Sequence, residues 1–293
     1  MPDVRRLDLS LQTKQAWSHL TFPRFRVCLE GKDFQDLEDV RIVAIGAEQT
    51  LAIASCQPDL SLVEVHSIFS EGSPETLLSV LDLLEQEVVR EGCTTLMLDL
   101  PETQHNYSQI KDCLQKRGWG GPRPFIEKYF FDIYTFSPPW FKTPPSMIAG
   151  FEEFPWRKLR PKEREMLLHQ VEQERIPVEV SPFGDEEKDI CYKVSKGLRY
   201  KGEVVGWCVT HKMSHDMLRF TTLYIHNEKK RLGPSIRLLI NTIKQQQRSP
   251  YRWTVFELNL KQTDESWKKF VRRRLAPYAI GITCWQEFWK ILK

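Results

Sequence analysis

The order of apolar and polar residues predicts alternating strands and helices along the first half of the chain. Residues 41–56 hold two apolar runs around a glycine, which predicts a hairpin. Residues 62–69 alternate valine with polar side chains and predict a third strand. Ser73 and Pro74 then open a helix that ends at Gly92, because serine caps helices and proline fits their first turn.

The second half of the chain repeats the element order of the first half. After Gly92, the first half continues with a strand at 94–100, a helix at 107–117 and a strand at 125–136. After a charged helix near 161–173, the second half predicts strands at 192–199, 204–211 and 219–225, a helix at 235–247, a strand at 253–260, a helix at 265–275 and a strand at 283–292. The shared order of hairpin, strand, loop, helix, strand, helix and strand indicates an internal duplication.

A proline-rich segment separates the two halves. Residues 137–145 read Ser-Pro-Pro-Trp-Phe-Lys-Thr-Pro-Pro. Because proline fixes φ, this composition favours an extended connector. A length of 293 residues is comfortable for two domains. We therefore predict an N-terminal domain at 1–137, a linker at 138–150 and a C-terminal domain at 151–293.

Charge and composition exclude several classes of protein. The 42 basic and 39 acidic residues give a net charge of +3, too balanced for nucleic-acid binding through bulk charge. The seven cysteines are an odd number without a Cys-x-x-Cys pair, which is typical of reduced thiols in a cytoplasmic protein. We expect no membrane partner, because the sequence contains neither a signal-peptide core nor a membrane-spanning apolar run. His211 and His215 lack a third ligand, so no metal site is predicted.

The segment after the predicted strand 219–225 carries the strongest chemical signal. It reads Lys229-Lys230-Arg231-Leu232-Gly233-Pro234-Ser235 and leads directly into a helix. Unpaired N–H groups at the head of a helix attract anions, and neighbouring cations add to the attraction. Gly233 lets the backbone approach a phosphate, and Pro234 starts a helix without losing a needed donor. The segment 229–235 is therefore predicted to bind a diphosphate.

This segment resembles the phosphate-binding loop of the GNAT acetyltransferase superfamily, which reads Gln/Arg-x-x-Gly-x-Gly/Ala. Lys230 stands where that family prefers Gln or Arg, and Ser235 where it prefers Gly or Ala. Residues 202–207, Gly-Glu-Val-Val-Gly-Trp, are similar to a hairpin of the family, and residues 115–119 to a segment late in its fold. The resemblance implies an α+β fold of two tandem GNAT-like domains, each a mixed, mostly antiparallel sheet flanked by helices.

The resemblance also implies acetyl-CoA, or another acyl-CoA, as the cofactor of the C-terminal domain. The residues expected to bind it are Leu223, Tyr224, Ile225, Lys230, Arg231, Leu232, Gly233, Pro234 and Ser235. In the family a backbone N–H of the preceding strand is the oxyanion donor, which here implies Leu223 or Tyr224. The corresponding loop of the N-terminal copy, residues 69–75, contains two glutamates and no cation, so that copy is not expected to bind CoA.

The implied activity is the transfer of an acyl group, with acetyl expected, to the amine of a small molecule or a peptide. Such a transfer needs a base, and Glu257, His211 and Asp216 are candidates. The leaving-group acid of the family is commonly a tyrosine, but Phe270 is the best-aligned residue, which leaves Tyr278 as the substitute. The acidic loop 184–187 is expected to attract a cationic amine.

Three alternatives remain open. Transferases of the FemX type and of the N-myristoyltransferase type also pair two such folds, with aminoacyl-tRNA or long-chain acyl-CoA as substrate. A protein of another class would bind CoA or act as a scaffold without catalysis, and Phe270 together with the altered phosphate loop favours this alternative. The sequence indicates neither the acceptor nor an oligomeric state.

Overall fold

The computed structural model describes residues 5–6, 42–46, 50–146, 148–226 and 232–292 of the chain. Contacts between residues divide the chain into two compact units. Unit 1 contains Met1–Ile126 and Thr283–Lys293, and unit 2 contains Glu127–Ile282.

Strands and helices alternate in both units. The strands of the described residues are β1 (Arg5–Arg6), β2 (Ile42–Gly46), β3 (Thr50–Gln57), β4 (Leu62–Ser70), β5 (Thr95–Pro101), β6 (Gly120–Asp132), β7 (Phe151–Pro155), β8 (Lys196–Tyr200), β9 (Glu203–Lys212), β10 (Met217–Ile225), β11 (Trp253–Asn259) and β12 (Gly281–Ile291). The α-helices are α1 (Pro74–Arg90), α2 (Tyr107–Lys116), α3 (Pro161–Glu172), α4 (Leu232–Gln246) and α5 (Glu265–Phe270).

Unit 1 contains a mixed sheet with the strand order β1-β2-β3-β4-β5-β12-β6. Strands β4 and β5 are parallel, whereas the pairs β1–β2, β2–β3, β3–β4 and β5–β12 are antiparallel. A parallel pair needs a crossover, and α1 supplies it between β4 and β5. The leucines at 77, 81 and 84 of α1 are fully buried and form the core of this unit with strand residues such as Val63 and Leu96.

Unit 2 repeats this plan with the strand order β6-β11-β10-β9-β8-β7. Its parallel pair is β10–β11, joined through α4, and β7 to β10 pair in antiparallel fashion. One face of the sheet packs Phe220 and Phe256 against Leu239 of α4. The opposite face packs Trp207 and Val209 with residues of α3 and its neighbouring turns. The predicted duplication is thus visible in the position of each crossover helix.

Most predicted elements are present, with shifted bounds in several cases. The helix predicted from Ser73 and Pro74 is α1, where Ser73 Oγ accepts a hydrogen bond of 3.3 Å from the Thr76 N–H. The strand predicted at 125–136 begins earlier and ends earlier, as β6. The helix predicted at 265–275 is α-helical only through Phe270 and continues as a wider π-helical turn, Val271–Leu275.

The two compact units differ from the predicted domains in two respects. The predicted final strand of the C-terminal domain, 283–292, lies in unit 1, where it pairs with β5 and buries Phe288 completely. The proline-rich segment belongs to unit 2, and its 3₁₀ turn Pro139–Phe141 places Phe141 in the core. A sheet accepts whichever strand satisfies its edge and its apolar face, regardless of the position of that strand in the sequence. No helix in the described part of the chain has the length and apolarity to cross a membrane.

Candidate active site

The parallel strands of unit 2 stop pairing before they end. The β10–β11 ladder runs from Met217–Trp253 to Phe220–Phe256, although β10 continues to Ile225 and β11 to Asn259. We call the space beyond the last pair, between residues 221–225 and 257–259, the cleft. Backbone groups along its two edges have no partner in this ladder, and they are therefore able to bind a ligand.

A β-bulge lies at the start of the cleft. Phe220 opposes Thr210, and Thr222 opposes Val209, so Thr221 has no opposite residue on β9. Such an extra residue lets two consecutive side chains lie on one face of a sheet. Leu223 packs on the α4 face and Tyr224 on the opposite face, so strand alternation puts Thr222 beside Thr221 on the face opposite α4. The Thr222 hydroxyl is buried and has no hydrogen-bond partner among the described residues.

The register of β10 distinguishes the two predicted oxyanion donors. The His226 N–H donates to the Val205 carbonyl at 2.8 Å, and bonded and non-bonded pairs alternate along an antiparallel ladder. Tyr224 therefore lies in a bonded pair with Trp207, and its N–H faces β9. Leu223 lies in a non-bonded pair, so its N–H faces the cleft, as does that of Ile225.

Gly206 permits the close approach of β9 to this part of β10. A Cβ atom at Gly206 would lie 2.6 Å from the Tyr224 carbonyl oxygen and 2.9 Å from Ile225 Cγ1. Any other residue would displace the β10 backbone, since real Cβ contacts are not this short. The glycine of the family-like hairpin thus fixes the backbone that borders the cleft.

The head of α4 lies at the predicted phosphate loop. The helix begins at Leu232, so Gly233, Pro234 and Ser235 belong to its first turn instead of preceding it. Proline is tolerated there because first-turn N–H groups have no partner within the helix. Gly233 is not required by packing, because a Cβ would make only ordinary contact, at 3.6 Å from Pro145 Cβ. Lys229, Lys230 and Arg231 lie outside the described residues.

Two of the predicted catalytic residues belong to one polar row on the face opposite α4. His211 Nδ1 lies 2.6 Å from Thr221 Oγ1, and Arg219 Nε donates to the same oxygen at 3.3 Å. Arg219 Nη1 is 4.0 Å from Glu257, whose other oxygen lies 3.0 Å from Lys128 Nζ. We call these residues, His211, Thr221, Arg219, Glu257 and Lys128, the polar row. It brings His211 and Glu257 onto one surface through side chains that sequence reasoning did not identify.

The electrostatics of the polar row separate the candidate bases. Burial lowers the pKa of His211, whose exposure is 5%, so the imidazole is neutral near pH 7. Each oxygen of Glu257 faces a cation instead. The third candidate, Asp216, accepts a hydrogen bond from Ser214 Oγ at 2.9 Å in the β9–β10 turn.

Tyr278 lies in a different environment. Its ring packs edge-on against Phe136, with a centroid distance of 5.9 Å, in the 3₁₀ turn Ala276–Tyr278. Phe270 belongs to an aromatic cluster with Trp267, at 4.8 Å, and Trp140, at 6.0 Å. No hydrogen bond joins Tyr278 to His211 or Glu257 within the described structure. Its proposed role as an acid stays a prediction.

The acidic loop lies beside His211, but its glutamates are paired. Ile190 forms a bridge with His211, which fixes the loop that precedes it against β9. Glu186 accepts a hydrogen bond from Arg219, and Glu187 lies 2.7 Å from Arg164 Nη2. These ion pairs offset much of the negative charge that would attract a cationic amine.

Unit 1 has a corresponding cleft that its own side chains fill. The β4–β5 ladder ends at Val65–Leu98, and the residue skipped at the bulge is His66. Counting from the bulge, Ile68 and Ser70 correspond to Leu223 and Ile225. The carbonyl of Ile68 accepts a hydrogen bond from the Gln104 amide, and that of Ser70 from Asn106 Nδ2 at 2.7 Å.

Comparisons with known proteins establish the fold. Neither a protein-family sequence model nor a curated protein sequence matches the chain. Among solved structures, it is similar to a tandem GNAT protein from the clavulanic acid biosynthesis pathway, solved without AcCoA, with TM-score 0.69, 10% identity, and coverage of 99% of this chain and 98% of that one. A GCN5-related N-acetyltransferase from Sphaerobacter thermophilus gives TM-score 0.64, 12% identity, and 98% and 95% coverage.

A third solved structure supports the same fold. The GCN5-related N-acetyltransferase from Kribbella flavida has a TM-score of 0.52 at 13% identity and covers 87% of this chain and 90% of its own. The predicted fold, two tandem GNAT-like units each built on a mixed sheet with flanking helices, is confirmed.

Proposed function

We propose that unit 2 binds acyl-CoA in its cleft and transfers the acyl group, with acetyl expected, to an amine by direct attack. One observation carries the proposal: the N–H of Leu223 faces the cleft without a ladder partner, and a neutral imidazole, His211, lies on the adjoining strand. An acyl transfer needs an oxyanion donor and a base, and these two groups match that need.

The cofactor would lie along the cleft edge and against the head of α4. Leu223, Tyr224 and Ile225 form that edge, and the first turn of α4 presents N–H groups to the diphosphate. Lys230 and Arg231 are proposed to add positive charge there. Acyl-CoA supplies an acyl group that is activated as a thioester. The residues present fit this group, because the cleft has an unpaired polar edge.

The protein side chains would divide the chemistry between them. The Leu223 N–H stabilises negative charge that develops on the thioester carbonyl oxygen. His211 takes the proton of the attacking amine, because it is neutral near pH 7. Glu257 is assigned no proton transfer, since both of its oxygens are engaged in ion pairs with Lys128 and Arg219.

Unit 1 is proposed to bind no CoA. Its cleft is filled by Gln104 and Asn106, and its loop at 69–75 carries glutamates where a diphosphate would need cations. One cofactor per chain is therefore expected.

Charge reversal tests the cofactor site. Lys230→Glu/Arg231→Glu should weaken acetyl-CoA binding in calorimetry by at least tenfold, which is about 1.4 kcal/mol. Arg157→Glu/Lys158→Glu is the matched control, because it makes the same charge change on an exposed turn of unit 2. Equal affinity in both variants would exclude the proposed diphosphate site.

Turnover is tested by thiol release with a panel of amines. His211→Gln should lower kcat by about 10²–10⁴-fold, the range of a general base. A second candidate function is CoA binding without catalysis, which the aromatic packing of Phe270 favours because that residue has no hydroxyl to donate. Binding of acetyl-CoA without release of thiol for any amine would support this candidate instead.

A further inference from the structure

The imidazole of His211 is held at one nitrogen by a hydroxyl from the bulge. Thr221 Oγ1 lies 2.6 Å from Nδ1. The Nε2 atom has no hydrogen-bond partner among the described residues, and unlike the Thr222 hydroxyl it is not fully buried. His211 is 5% exposed, so Thr221 is the group that can select which nitrogen carries the proton of the neutral ring.

The other contacts of Thr221 favour one direction of that hydrogen bond. A hydroxyl has one proton and two lone pairs. Arg219 Nε, a permanent donor, occupies one lone pair at 3.3 Å, and the Thr221 hydroxyl has an acceptor in the Arg219 carbonyl oxygen at 3.5 Å. With the hydroxyl proton on that carbonyl oxygen, the remaining lone pair accepts from His211 Nδ1–H. In this arrangement Nε2 carries the free lone pair.

We propose that Thr221 is a positioning residue, which holds His211 in the tautomer with its proton on Nδ1 so that Nε2 can take the proton of the acceptor amine. This inference rests on the proposed function of unit 2. The proton leaves the amine nitrogen and bonds to Nε2, and the imidazolium retains its Nδ1–H bond to Thr221. The ring later releases the Nε2 proton to solvent, which restores the starting tautomer.

Several charged groups act on this ring besides Thr221. Glu186 of the acidic loop and Asp189 just after it favour the imidazolium, whereas Arg219 on β10 opposes it. Glu257 and Lys128 act through Arg219. Because Thr221→Val preserves all of these charges, its effect reports on the hydroxyl alone.

The first unit contains the same pair of groups with their positions exchanged. His66 occupies the bulge position of β4, and Ser55 on β3 lies 2.7 Å from its Nε2 atom. Its Nδ1 atom is 3.7 Å from Glu64. His66 thus meets the hydroxyl through the opposite nitrogen, and it serves as an internal reference for measurements on His211.

Nitrogen NMR of the ¹⁵N-labelled full-length protein tests the inference directly, since it distinguishes the two tautomers of each of the seven histidines. We expect the Nδ1–H form for His211 in the parent protein and in Thr221→Ser. Thr221→Val should convert it to the Nε2–H form. Thr222→Val is the matched control, because it makes the same change at the neighbouring residue, and it should leave the His211 signals in place. The signals of His66 should not move in any variant.

Kinetics supply the second readout. Thr221→Val should lower kcat by about tenfold with little change in KM, part of the effect of losing the base, and Thr221→Ser should restore it. An Nε2–H tautomer in the parent protein, or a His211 spectrum unchanged by Thr221→Val, overturns the inference. The expected tautomers in a protein that turns over no amine would refute the proposed function and leave the positioning of His211 established.

Discussion

The amide of Asn106 closes the cleft of unit 1, and a series of substitutions measures its contribution. Asn106 has a φ of 59° and donates to the carbonyl of Ser70, a residue 1% exposed. Asn106→Gly keeps the left-handed backbone but leaves that buried carbonyl without its donor, which should cost about 1–3 kcal/mol of unfolding free energy. Asn106→Ala adds a Cβ in the left-handed region and should cost about 1 kcal/mol more.

Urea unfolding followed by tryptophan fluorescence measures these differences. Asn106→Asp keeps the size of the side chain but turns a carboxylate toward the carbonyl, so it should lose at least as much stability as Asn106→Gly. A glycine variant as stable as the parent would refute the assigned role of the hydrogen bond. Calorimetry adds a second arm: the parent and the variants should all bind one acetyl-CoA per chain. A second bound cofactor in Asn106→Gly would show that the filled cleft, and not the loop charge, excludes CoA from unit 1.

Three further predictions concern other parts of the fold. Arg199 donates to Glu163 at 2.7 and 2.9 Å, and both side chains are largely buried, so Arg199→Met should cost about 3–5 kcal/mol in chemical unfolding, with partial recovery in Arg199→Met/Glu163→Gln. The hydrogen bond from Arg199 holds the pKa of Glu163 below its usual value. The stabilisation from this pair is therefore complete above the unfolded pKa of about 4.3 and is lost as pH falls through the folded pKa. Acid unfolding of the parent should show this loss of unfolding free energy, and Arg199→Met should not. Gly206→Ala should cost about 1–3 kcal/mol and weaken acetyl-CoA binding, because its methyl group must displace the Tyr224 carbonyl; unchanged calorimetry would contradict this. Ser73→Ala removes the cap of α1 and should cost about 1 kcal/mol in thermal unfolding without changing turnover, which an equal melting temperature would contradict.

Local sequence patterns predicted where helices and turns form better than which elements contact each other. Ser73 and Pro74 start α1 where the sequence indicates, and Lys201 and Gly202, both with positive φ, form the turn between two predicted strands. Strand β7 was missed, because two adjacent glutamates hide its alternation. One of them, Glu153, accepts hydrogen bonds from Asn241 Nδ2 at 2.8 Å, a partner far along the chain. A strand stabilised by such distant contacts has a weak local pattern.

The candidate site was predictable in its composition but not in its geometry. Sequence reasoning identified His211 and Glu257 as separate candidates on two different strands. The bulge at Thr221 brings them together in the polar row. The residue types of Thr221 and Thr222 do not indicate this shift of register between β9 and β10. The preference for Leu223 over Tyr224 likewise depends on a single hydrogen bond between His226 and Val205. Such relations arise between strands, and a single sequence does not encode them locally.

The place of β12 in the sheet of unit 1 has a consequence for synthesis of the protein on the ribosome. Translation completes every residue of unit 2 before it delivers Thr283–Ile291, the segment that β5 pairs with. Until then, the nascent first unit exposes one side of β5 and lacks the ring of Phe288 in its interior. The first half of the protein therefore finishes folding after the second half has been made, and a premature stop codon ahead of the segment that encodes β12 would damage the unit that was translated first.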